Sequence, residues 1–253
     1  MHRLKPFFRD NVDKIDWYYL SRNQNIAAIE WLLENPDKIN CYFLGNNPNN
    51  AAIELLKQNL NKIDWKDLSS NPNDAAINVL LENPDKINWH WLSLNPNDAA
   101  IKLLLKNPDK IDWDFLNFNP NNAAIELLKK NPENIHWDWL SSNPSDASIE
   151  LLLQNLNEID WYHLSRNPND AAIQLLKQYP ENIHWDMLSD NPNDAAIQLL
   201  LENPGKINWN YLSRNPNYKA FELLLLKNPD KIDWDYIWSN PNIFEKEEEF
   251  IFK

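Results

Sequence analysis

Asn-Pro recurs at two fixed points of a 24-residue period, and that period limits the fold more than any other feature of this chain. The segment "INWHWLSLNPNDAAIKLLLKNPDK" (87–110) is followed directly by "IDWDFLNFNPNNAAIELLKKNPEN" (111–134). The tract runs from Ile15 to Lys231 as nine full repeats, with a partial tenth from Ile232. Positions are numbered 1 to 24 from the Ile that opens each copy. Position 9 is Asn in all ten copies, and position 10 is Pro in nine of them. Position 21 is Asn except for Tyr179, and position 22 is Pro in seven of nine copies. Pro6 alone lies outside these two columns. Proline cannot donate a backbone hydrogen bond and clashes with the preceding turn, so each repeat carries two helix stops.

Two short helices fit between the stops. The longer spans about positions 12 to 20, as in "DAAIKLLLK" (98–106). Ala100, Ile101 and Leu104 fall on one face of it at helical spacing. Position 11 is Asn in nearly every copy, or Ser145, and reads as the N-cap. Position 12 is often Asp, which suits the positive end of the helix dipole. Position 14 is always small, Ala or Ser148, which predicts a close backbone neighbour. The shorter helix covers about positions 3 to 8, as in "WDFLNF" (113–118), with Asp, Asn or His at position 2 as its cap. Its length admits a 3₁₀ form. Neither helix is stable alone in water, but stacked copies bury their apolar faces on one another.

The expected fold is therefore an all-α solenoid of αα (α/3₁₀) repeats over 15–242. Residues 1–14 form an N-terminal capping half-repeat, since "FFRDNVDKI" (7–15) aligns with "VLLENPDKI" (79–87). Residues 243–253, which place Glu where core residues would fall, form an acidic C-terminal cap.

The period, the long helix, the short one and the recurring "L-S-x-N-P-N" resemble the leucine-rich-variant repeat, whose copies carry a similar Leu-small-x-x-Pro turn. The tract is also similar to the short helical repeats of large DNA viruses with AT-rich genomes. The resemblance covers nearly the whole chain and implies a right-handed superhelical solenoid, with a host cytoplasm or virion as the setting if the source is viral. It implies no catalytic residue and no cofactor. The chain departs from the variant family in its Trp at position 3, its second Asn-Pro and its lack of a cysteine cluster.

Composition narrows function by exclusion. The net charge of -13 repels phosphate backbones, which argues against nucleic acid as a partner. No run of 18 apolar residues spans a membrane, and the start "MHRLKPFFRDN" lacks the apolar core of a secretion signal. A single cysteine, Cys41, allows no internal disulfide and fits a reducing, cytoplasmic setting. Two glycines, Gly45 and Gly205, are too few for a phosphate-cradling loop.

The chemistry-bearing residues fit the repeat better than a reaction. His136 and His184 share position 2 and read as caps; two repeats apart, they are too distant to share a metal. His90 and His163 read as surface residues, and Cys41, which replaces Trp at position 3, as a buried inert thiol. Glu247, Glu248 and Glu249 read as a solvated face. The Trp column (Trp17, Trp65, Trp89, Trp113, Trp137, Trp161, Trp185, Trp209, Trp234) shares its face with Leu at position 6 and reads as core. No nucleophile–base pair, metal spacing or phosphate loop appears, so the expectation is a non-enzyme with no catalytic residue, metal or cofactor.

Positions 5 and 8 carry the functional expectation. Position 5 is apolar or aromatic in eight of ten copies, from Tyr19, Phe43 and Trp91 to Met187, Tyr211 and Tyr236. Position 8 varies widely: Arg22, Leu94, Phe118, Arg166, Asp190. Apolar character concentrates in Trp91, Leu94, Phe115, Phe118 and Trp139, with His90 alongside. On an outer face these would bind a protein or extended peptide; the other reading packs position 5 between neighbouring short helices. The function expected is a protein–protein interaction scaffold, with a self-associating structural component, for instance of a virion, as the alternative.

Two expectations concern the Asn columns. Asn tolerates the left-handed conformation that ends helices, which would let the chain manage with two glycines. Position 9 (Asn23, Asn47, Asn71, Asn95, Asn119, Asn143, Asn167, Asn191, Asn215, Asn240) keeps its amide even where Gln24 replaces Pro. That predicts a buried Asn ladder, each side chain bonding the backbone of its own or the adjacent repeat.

Overall fold

The computed structural model describes residues 17–22, 26–237, 240 and 242. Both expected caps, residues 1–14 and 243–253 with Glu247–Glu249, and Asn23 of the position-9 column lie outside them, as do the side chains of Tyr19, Arg22 and Phe43. The described residues hold helices and turns and no strand. The chain divides into two compact units, residues 1–135 and 136–253, with the boundary after the first position of the sixth repeat. Each unit is an all-α solenoid built on the same plan.

Within a repeat the chain makes three helical elements. In the fourth these are Trp89–Leu94, Asp98–Lys106 and Pro108–Lys110. The short helix is α: the Leu92 N–H donates to Asn88 O, four residues back, at 2.9 Å, and the cap side chain adds to it where Asn88 Oδ1 accepts the Trp91 N–H at 3.2 Å. The 3₁₀ element is a separate turn at positions 22 to 24, beginning at the proline of the second Asn-Pro. Proline fits the first place of such a turn because its missing N–H would be unpaired there. The expected 3₁₀ character is thus real but belongs to the connection.

In both units short helices pack on those of neighbouring repeats and on the long helix of their own repeat; long helices stack likewise. The core between the layers is aliphatic. Ala100, Ile101 and Leu104 are at most 1% exposed, and Leu92, at position 6, is fully buried. At the one serine of position 14, Ser148 Oγ stands 2.7 Å from the carbonyls of both Asn143 and Ser145, which share its single proton.

Tryptophan at position 3 is half-buried rather than core, and Trp234 is 62% exposed. In the full repeats it is the first residue of a five- or six-residue helix, so its side chain covers the margin of the layer while Leu, one turn on, enters it. Trp161 shows the placement, with its ring 5.4 Å from that of Tyr179 at position 21 of the same repeat.

The helix ends also differ from expectation. No described residue has a positive φ, glycines included. Position 9 is extended (Asn95, φ −69°, ψ 120°), and position 21 sits at φ −132°, ψ 62° (Asn107). Proline favours this, because its ring disfavours helical backbone in the residue before it, but position 21 does not require it: Asn155, followed by Leu156, sits at φ −138°, ψ 54°. The position-21 amide turns back on its own helix: Asn107 Nδ2 donates to Leu103 O at 2.9 Å, satisfying a carbonyl the helix leaves open.

Position 9 does more. Asn119 is fully buried. Its Nδ2 donates to Ser93 O at 2.8 Å and to Asn95 O at 2.9 Å, both in the preceding repeat. Its Oδ1 accepts the Asn121 N–H at 3.0 Å. Asn71 and Asn95 in the first unit, and Asn167, Asn191, Asn215 and Asn240 in the second, make the same three bonds. Asn47 and Asn143 accept from the amides of Asn49 and Ser145 in the same way. Two donors and an acceptor on one short planar group are what the site uses; aspartate lacks the donors.

Two further ladders run beside the first. Serine at position 7 is buried and bridges repeats: Ser93 Oγ donates to Trp89 O at 2.9 Å and accepts the Asp112 N–H of the next repeat at 2.9 Å. Asn117 replaces it once and donates to Trp113 O and Asn134 O. At position 11 the Asn cap also reaches back: Asn97 Nδ2 donates to Pro72 O at 2.8 Å and to Asp74 Oδ1 at 2.7 Å.

The extra residue of the ninth repeat is absorbed locally. Phe221–Leu225 forms a π-helix, and Leu225 remains fully buried. The register is restored beyond it, since Asn240 still reaches Ser213 O and Asn215 O at 2.9 Å each.

Asn119→Ala leaves two carbonyls and an amide without their partner, so it is expected to cost about 1–3 kcal/mol in chemical denaturation. A change near zero would leave position 9 with a turn role only.

Candidate functional site

With positions 3, 6, 7 and 9 occupied by packing and ladder bonds, the short helix has positions 4, 5 and 8 left over. In the first unit these side chains meet across repeats. Phe115 lies 5.5 Å from Trp91, edge to face, and its ring centroid is 3.5 Å from that of His90. The Lys66 ammonium stands 4.6 Å from the centroid of Trp91, a cation–π contact. His90 also pairs with Asp112, the cap of the next short helix. Position-5 rings are therefore half-buried against each other, while His90 stays exposed. Leu94 is half-buried and Phe118 is 39% exposed at position 8 of the same two repeats. Trp139 belongs to the second unit, where it stacks on His136 at 4.6 Å and 26°.

His136 and His184 occupy the cap position, but neither side chain makes a cap hydrogen bond. Their rings pack on aromatics instead, His184 edge-on to Tyr162 at 5.5 Å. The carboxylate caps behave differently, as with Asp160 Oδ1, which accepts the His163 N–H at 2.9 Å. His163 is half-buried, and its Nδ1 is shut from solvent 3.1 Å from that carboxylate, at ion-pair distance without hydrogen-bond alignment.

The second unit holds a charged feature along position 8. Asp190, with its side chain 7% exposed, lies between Arg166 of one neighbouring repeat and Arg214 of the other. Arg214 binds it through Nε at 2.9 Å and Nη2 at 3.2 Å, and Arg166 through Nη2 at 2.9 Å. The hydrogen bond to Asp190 raises the Arg214 pKa further, and the guanidinium stacks 4.7 Å from Tyr211. Alternating signs at 24-residue spacing (Arg166, Asp190, Arg214) are the signal that marks this triad in the sequence.

Among the described residues no three His, Cys, Asp or Glu side chains converge as a metal site. None of the described helices is long and apolar enough to cross a membrane.

Cys41 is 5% exposed, and burial raises its pKa against the opposing pull of Lys62. A thiol kept neutral and covered is a poor nucleophile. It is expected to react slowly with Ellman's reagent in the native protein and rapidly in denaturant; fast native labelling would contradict this placement.

No protein family, curated protein or solved structure matches the chain in comparisons of sequence and fold.

Proposed function

We propose that this protein is a non-enzymatic interaction scaffold. Its partner, a protein or extended peptide, would bind the short-helix side, at positions 4, 5 and 8. One observation carries the reading. The invariant positions are consumed by the core and the ladders, whereas the positions that vary from copy to copy hold aromatic and basic side chains that neighbouring repeats bring together. Trp91 with Phe115 in the first unit is the clearest case. Aromatic and Arg residues are the side chains most often responsible for binding energy at protein interfaces. An acidic chain with no basic run favours a protein over a nucleic acid.

Self-assembly into a structural component remains the alternative, and a concentration-independent monomer in sedimentation would argue against it.

The scaffold reading is tested with Trp91→Ala combined with Phe118→Ala. Trp91 is half-buried and Phe118 is exposed, so neither truncation opens the fully buried core and the cooperative melt should survive. Partner capture should fall, and cross-links from Lys66, which stands over Trp91, should disappear. Loss of the cooperative melt would assign these side chains to the core instead, and undiminished capture would move the partner elsewhere.

A further inference from the structure

A groove of about 520 Å³ opens on the second unit, lined by Ser142, Tyr162, His163, Arg166 and Met187. These come from positions 4, 5 and 8 of three consecutive repeats. Met187 is 6% exposed and gives the groove an apolar component. Arg166 is different: its side chain is 62% exposed, and its Nη2 stands 2.9 Å from Asp190 Oδ2.

The charge balance at Asp190 is uneven. One carboxylate faces two guanidiniums, and Arg214 already holds it through two nitrogens. One positive charge is left over. Arg214 is the more covered of the two, at 33% exposed, so the excess is presented at Arg166, on the groove. The other acid beside the groove, Asp160, is directed to the cap of its own helix, where it accepts the His163 N–H. Asp186, on the following short helix, accepts from Asn208 Nδ2.

We propose that this groove binds a carboxylate side chain of an extended peptide, with Arg166 as its partner and the peptide's neighbouring apolar residue against Met187 and Tyr162. A guanidinium fork matches a planar carboxylate with two parallel hydrogen bonds. Tyr162 and His163 line the same groove and carry further donors. A phosphate would suit the guanidinium locally, but the field of a chain with net charge -13 opposes a dianion more than a monoanion. The proposal rests on the short-helix side being the partner surface and names the chemistry of one part of it.

The test uses the full chain and a capped hexapeptide of alternating Glu and Leu, followed by calorimetry and by the arginine side-chain signals in NMR. The Glu peptide should bind and shift the Arg166 Nε signal, and its affinity should fall with added salt. The Gln counterpart should bind about tenfold more weakly, and Arg166→Gln should weaken the Glu peptide by about the same factor. Arg166→Lys, which keeps the charge and loses the fork, should fall between. Because Arg166 is largely exposed, both variants should melt as the parent does. Equal binding of the Glu and Gln peptides, no binding of either, an Arg166→Gln variant as tight as the parent, or tighter binding of a phosphotyrosyl version would each overturn the carboxylate assignment. The first-unit double substitution reads the scaffold function separately. Lost capture there beside a silent groove rejects the carboxylate site alone.

Discussion

The amide of the position-9 asparagine is the interaction on which the rest depends. A repeat this short has little apolar surface, and its helices end abruptly, exposing carbonyls where two layers meet. Buried without partners, such groups would cost about 1–3 kcal/mol each. The amide removes that cost and links neighbouring copies at once: both of its N–H groups go to the preceding repeat, and its oxygen takes the N–H two residues on. Serine at position 7 and asparagine at position 11 repeat the device on either side. Apolar burial stabilises the stack, while the ladders fix its register to a single spacing.

The same arrangement explains a solenoid with almost no glycine. Tight connections usually rely on left-handed residues, yet none occurs among the described ones. Extended backbone ahead of proline turns the chain, and the Asn side chains satisfy what the turn exposes. Gly45 serves a steric purpose instead. A Cβ there would stand 3.0 Å from Asp67 Cβ, although the Gly45 carbonyl still accepts from Asn71 at 2.6 Å. The ladder uses position 7's backbone, so it tolerates the loss of the serine hydroxyl.

Much of the fold was legible in the sequence because period, proline and helical spacing are local signals. Ala100, Ile101 and Leu104 face the core as their spacing requires, and Asn97 caps its helix through the Ala99 N–H. What was not legible depends on neighbours in space. Nothing local distinguishes the Ser93 hydroxyl, which bridges to Asp112 nineteen residues on, from a surface serine. The half-burial of Trp at position 3 follows from where the short helix begins relative to its layer. Of the candidate site, the aromatic column was visible, but the contact of His90 with Phe115 and the Arg166–Asp190–Arg214 triad arise only when copies stack. The variable positions supply function because the constant ones are already occupied by structure.

Side-chain amide hydrogen exchange tests the ladder most directly. If position-9 amides are buried and doubly bonded, the Nδ2 protons of Asn71, Asn95, Asn119, Asn167, Asn191 and Asn215 should exchange slowly, approaching the rate of global opening. The Nδ2 protons at position 11, in more exposed bonds, should exchange faster. Exchange at position 9 as rapid as that of a solvent-exposed asparagine would contradict the account.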